Sequence, residues 1–140
     1  MKLSLLALLM AALAPLAHAN TEFTNVPAQL QKALHGNSLK TAQLDKGVLR
    51  LQTTRPEVSE LVYATFIFHN ICGEQWMNPQ QFKDFGLQRV ELVNAGGSQG
   101  FAFDARGDVC EEMGKLGKNF RSFIAQYTVK CQTGGCPQRP

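Results

Sequence analysis

The chain has 140 residues, of which 18% are charged, and carries 14 Lys and Arg against 11 Asp and Glu for a formal net charge of +3. That length suits one domain around a single core. A charge so small, with no dense Lys/Arg run, argues against the concentrated basic face that nucleic-acid binding uses.

The N-terminus reads as a cleavable secretory signal. Met1 and Lys2 form a short positive region, Leu3 to Leu13 is apolar except for Ser4, Pro15 breaks the helix, and Ala17-His18-Ala19 offers small residues where a signal peptidase cuts. Cleavage before Asn20 is expected. The apolar run is shorter than the ~20 residues of a membrane-spanning helix, and no later segment is long or apolar enough to span. Removing 19 of the 140 residues leaves 121, and the loss of Lys2 lowers the charge from +3 to +2. The processed protein is therefore expected in the periplasm or outside the cell.

Asn20 to Val26 reads as a polar, mobile lead-in. Pro27 to His35 predicts a short helix, with Thr24 or Asn25 at the cap, Leu30 and Leu34 on one face and Gly36 as the stop. Leu39–Leu44 and Val48–Thr53 flank Asp45-Lys46-Gly47 and predict a hairpin. Thr54-Arg55-Pro56-Glu57 has the form of a capping box, so a buried helix is expected from there through Phe66 and Phe68 toward Cys72. Asn78-Pro79 opens a second short helix carrying Phe82 and Phe85 and ending at Gly86. A second hairpin runs from Leu87 to Asn94, turns at Gly96-Gly97 and returns through Gly100 to Phe103.

The last stretch is ambiguous in period. Phe120, Phe123, Ile124 and Tyr127 have helical spacing, whereas Phe123, Ala125, Tyr127 and Val129 alternate like a strand, and Gly114 and Gly117 each weaken a helix by about 1 kcal/mol. A helix from Asp108 to Thr128 is the reading adopted. The element order predicts an α+β domain: an antiparallel sheet of two hairpins, backed by helices and stapled by disulfides. The tail Pro137-Gln138-Arg139-Pro140 lies beyond the last staple and is expected to be loose.

Four cysteines, Cys72, Cys110, Cys131 and Cys136, favour two disulfides in an oxidising compartment. With a continuous final helix, Cys110 and Cys131 would stand roughly 30 Å apart, far beyond the ~7 Å a disulfide tolerates. Five residues double back only about 17 Å, which also excludes Cys110 with Cys136. Cys72–Cys110 and Cys131–Cys136 remain. Four thiolates match zinc by count, but export favours oxidation over metallation.

No catalytic, cofactor or metal site emerges. Only His35 and His69 remain after processing, too few for a His-rich site or a Ser-His-Asp triad. His69 and Cys72 share a helical face, yet a buried histidine beside a disulfide accounts for both, and a reactive cysteine needs an exposed thiolate. Gly96, Gly97 and Gly100 lack the pattern of a phosphate or dinucleotide loop and read as a turn. Trp76 and Met77, before the Asn78 cap, suggest either a contact patch or part of the core.

Arg106-Gly107-Asp108 resembles the integrin-recognition tripeptide of adhesive proteins. The resemblance implies that Asp108 supplies a carboxylate to a receptor-bound metal and that Arg106 meets receptor acids. The same residues also read as structure, with Gly107 turning the chain and Asp108 capping a helix. As a whole, the signal, size and cysteine pattern resemble the small uncharacterised secreted proteins of Gram-negative bacteria, which implies no activity. Three functions are expected in this order: a stapled binding domain for an unknown protein partner, a ligand of a host cell-surface receptor through Arg106, Gly107 and Asp108, and a small hydrolase or thiol enzyme.

Overall fold

A computed structural model describes residues 20–138; the expected signal segment, residues 1–19, lies outside the described residues. Both predicted hairpins form. Lys46 and Gly47 sit at φ of 48° and 80°, as the two central residues of a tight primed turn must, and join β2 (Leu39–Asp45) to β3 (Val48–Thr53). β4 (Arg89–Val93) and β5 (Gln99–Asp104) meet across a loop organised by Asn94, whose side-chain oxygen accepts from the amides of Ser98 and Gln99.

The sheet is mixed rather than antiparallel. Its six strands lie in chain order, with β1 (Glu22–Thr24) parallel to β2 and β3 parallel to β4. The reason is connectivity: helical segments separate β1 from β2 and β3 from β4, and a long connection returns the chain in its original direction. β1 arises from the lead-in expected to be mobile. Thr21 Oγ1 donates to the Leu39 carbonyl and Val26 is buried, which anchors that segment.

Period two gives the sheet two different faces. One carries the cross-strand rows Leu44, Leu49, Val90, Phe103 and Ala42, Leu51, Leu92, Phe101. These pack with Leu30 and Leu34 of α1 (Ala28–Leu34) and with Tyr63, Ile67, Ile71, Met113 and Ile124 into one core. The other face carries Arg50, Glu91 and Arg89. Glu91 meets Arg50 Nε at 2.8 Å and Arg89 Nε at 3.1 Å, while Arg89 Nη2 donates to the Pro137 carbonyl at 2.6 Å. Arg89 and Glu91 are only 8% and 5% exposed, so Pro137 is tied down over an ion pair rather than loose.

The helix expected from Thr54 starts at Glu60. Arg55 and Pro56 cannot begin it, because their carbonyls accept from the Ala95 amide and the Asn94 side chain. Ser59 caps instead, its Oγ accepting from Val62 N at 3.1 Å. From there α2 (Glu60–Phe66), a π-helical stretch (Ile67–Cys72) and α3 (Gly73–Met77) follow without a break. α4 (Pro79–Phe85) ends at left-handed Gly86, as expected. α1 also forms, but on Pro27 without a side-chain cap from Asn25 or Thr24.

The predicted final helix is three elements. α5 (Val109–Lys115) stops at Leu116 and Gly117, α6 (Phe120–Gln126) follows Asn119, and β6 (Thr128–Gln132) joins the edge of the sheet beside β5. Gly117 and Asn119 both take positive φ, 69° and 63°, which ends one helix and redirects the chain into the next. The helical period is real over α6, whereas of the alternating set Phe123, Ala125, Tyr127 and Val129 only Val129 lies in a strand. The disulfide pairing holds even though its supporting helix does not: Cys72–Cys110 and Cys131–Cys136 have Cα separations of 5.0 and 4.1 Å.

The two bridges span 38 and 5 residues, and loop-closure entropy makes loss of the first costlier by about 1 to 2 kcal/mol. Denaturant unfolding of Cys72→Ser/Cys110→Ser beside Cys131→Ser/Cys136→Ser measures the difference. Equal losses would mean that the strap over Arg89 contributes more than its chain entropy.

Candidate functional site

Cys72 and Cys110 are buried and bring the helical run of α2 and α3 against the first turn of α5. One turn beyond Cys72, Trp76 Nε1 donates to the Cys110 carbonyl at 2.8 Å. The indole then crosses α5 at Gly114, where a Cβ would lie 2.7 Å from Nε1. Gly114, unfavourable by helix propensity, is thus explained by close approach of an aromatic ring. Phe68 meets Trp76 edge-on at 4.9 Å and Phe120 at 4.4 Å between ring centroids.

These rings and Met113 form an open groove of about 300 Å³, with Glu111, Lys115 and Lys118 at its edge. Trp76 is 36% exposed, and the neighbouring Met77 and Leu116 are 80% and 50% exposed. The surface is therefore apolar in its floor and in the side chains beside it. The sequence offers Trp76 and Met77 as a contact patch or as part of the core, and the structure exposes both. A single helix from Asp108 to Thr128 does not distinguish Leu116 and Lys118, which lie in the exposed α5–α6 connection, or Phe120, which opens α6 half-buried.

A second cavity, of about 180 Å³, lies between α2, α6 and the β5–β6 edge. Tyr63 stacks on Phe101 at 4.9 Å and its hydroxyl lies 2.7 Å from Thr128 Oγ1. Thr128 donates its own proton to the Ile124 carbonyl, so Tyr63 must be the donor to Thr128. Burial pushes the Tyr63 phenol well above its ordinary range and keeps it neutral. Its proton is committed to a structural bond.

Arg106, Gly107 and Asp108 occupy the turn from β5 into α5. Asp104 accepts from Arg106 Nε at 2.9 Å and from Nη2 at 2.8 Å, a two-pronged pair that raises the Arg106 pKa. Gly107 has φ of 64°, a turn that favours glycine. Asp108 stands at the start of α5 but makes no side-chain cap bond, which corrects the capping role read from the sequence. Arg106 borders a cavity with Arg89 and Tyr127, whereas Gly107 and Asp108 border a different one with Gln75 and Lys83.

The His69 and Cys72 pair does not assemble. His69 is exposed, against the buried histidine expected, and Cys72 is fully buried in its disulfide. All four cysteines are bonded, so no thiolate nucleophile is available. Gly100 is required by backbone approach, since a Cβ there would strike the Leu92 carbonyl. Among the described residues no group of three or more His, Cys, Asp or Glu could hold a metal ion, and no helix is long and apolar enough to cross a membrane. Comparison of the chain with protein-family models, curated proteins and solved structures finds no match.

Gly114→Ala tests the seat of the indole. Better helix propensity, about 1 kcal/mol, offsets the loss of a hydrogen bond of similar worth, so the melting temperature should move little. Trp76 is the only tryptophan, and its emission should shift to longer wavelength as the ring is pushed into water. An unchanged spectrum would show that the groove does not depend on Gly114.

Proposed function

We propose that this is an exported, disulfide-stapled binding domain that takes its partner at the Trp76 groove. The observation that carries the reading is a partly exposed indole fixed by the Cys110 carbonyl in an apolar groove, with exposed Met77 and Leu116 next in the chain to lining residues. Large apolar side chains concentrated on a rigid corner are a contact surface in search of cover, and preorganisation lowers the cost of binding. Two disulfides and the signal-like N-terminus support a periplasmic or secreted site of action.

A photocrosslinking side chain placed at Met77, with Gln43 on the opposite sheet face as control, tests this in the producing cells. Adducts are expected from position 77 and not from 43. Equal labelling, or none from 77, would overturn the assignment.

The receptor reading has one observation in its favour: the Asp108 carboxylate is exposed and not consumed as a cap. Receptor-bound metal requires that charge, since hard cations favour anionic oxygen. Asp108→Asn should therefore abolish metal-dependent adhesion to purified integrin while shifting stability by no more than the ~1 kcal/mol that a charge near a helix N-terminus contributes. Adhesion that is absent in the unsubstituted protein, or that survives Asp108→Asn and chelation, eliminates this reading.

A further inference from the structure

We infer that the partner seated at the Trp76 groove is an anionic lipid surface, an inference that rests on the groove being the contact surface. The lining carries no neutral polar side chain except the Trp76 indole, and its N–H is already spent on the Cys110 carbonyl. An extended peptide laid there would bring backbone amides that only the charged side chains at the edge could pair. Acyl chains bring none.

The exposed residues select a surface over a single soluble amphiphile. One chain could fill the roughly 300 Å³ groove but would leave Met77 and Leu116, 80% and 50% exposed, still in water. A bilayer interface covers them together, and tryptophan favours that boundary because its ring has an apolar body and a polar edge.

Charge supplies the sign. Lys115 and Lys118 line the groove against Glu111 alone, which lies 3.8 Å from Lys115, so Lys118 is left without an acidic counterpart in the lining. The excess is positive, as phosphate headgroups require. A few inserted apolar side chains and two lysines give weak, reversible docking, not insertion.

The test uses the exported protein and vesicles of pure phosphatidylcholine or of phosphatidylcholine with roughly a third phosphatidylglycerol. Co-sedimentation and the emission of the sole tryptophan are read together. The mixed vesicles should bind and shift Trp76 emission to shorter wavelength, with affinity falling as salt rises. Pure phosphatidylcholine should bind more weakly by about fivefold for each basic side chain that meets the surface. Lys118→Glu should lose at least that factor, and Met77→Ser with Leu116→Ser at least about tenfold; melts confirm that these exposed substitutions leave the fold intact. Absence of binding to mixed vesicles, or binding indifferent to both sets of substitutions, overturns the lipid assignment. An acidic, leucine-rich soluble peptide that shifts the emission when vesicles do not would also overturn it and make the partner a protein, leaving the groove as the contact surface. If vesicles fail and position 77 yields no adduct in cells, the contact-surface reading falls with it.

Discussion

The Cys72–Cys110 disulfide is the constraint on which the helical side of the molecule depends. α5 has seven residues and α3 has five, lengths at which a helix has little stability of its own in water. The bridge fixes the start of both to one buried point. Everything that shapes the groove follows in space: the Cys110 carbonyl lies within reach of the indole, Gly114 falls beneath the ring, and Met113 is held in the core. The site is built on a covalent corner because its secondary structure is too short to hold it.

The opposite face of the sheet is organised by charge. Helices cover one side with apolar contacts, whereas the C-terminal segment covers the other over Arg89 and Glu91. Buried ions are costly unless paired and hydrogen-bonded. Arg50 and Arg89 share Glu91, and Arg89 also donates to Pro137. Pro137 follows directly on Cys136, so the short Cys131–Cys136 loop holds that carbonyl over the guanidinium. A small staple at the sheet edge therefore has an electrostatic consequence beyond its chain entropy.

Much of this was legible where local chemistry and tertiary context agreed. Lys46-Gly47, Gly86 and the alternating residues of β3 and β4 announce their turns and strands, and the cysteine spacing announces both disulfides. Failure came where distant groups claimed the backbone. Thr54 to Glu57 spell a helix start, but the β4–β5 loop takes the carbonyls of Arg55 and Pro56, and Ser59 caps instead. Glu22–Thr24 looked too polar to be ordered until a parallel partner, β2, supplied its hydrogen bonds. In the last third, Phe123 and Tyr127 satisfied two periods at once. Only the positive φ at Gly117 and Asn119 separates α5 from α6 and lets β6 follow.

Local irregularities also occur away from the groove, at left-handed Asn25 and Ser38, at Gly100 within β5 and at exposed Leu61, but several meet near Trp76. A π-helical stretch carries Phe68 and Cys72, a glycine stands inside α5 at Gly114, left-handed residues frame the 116–119 loop, and Trp76, Met77 and Leu116 are exposed. All of these lie on or beside one groove. Each runs against the choice that would best stabilise its own segment: π geometry is rare, glycine weakens a helix, and exposed apolar side chains favour aggregation. Sequences depart from local consistency chiefly at functional sites. The concentration of departures around Trp76 therefore distinguishes this groove from the Tyr63 cavity, whose hydroxyl is consumed by the Thr128 and Ile124 chain. It also distinguishes the groove from the Arg106 turn, where Gly107 has an ordinary turn role and Asp104 already holds the guanidinium.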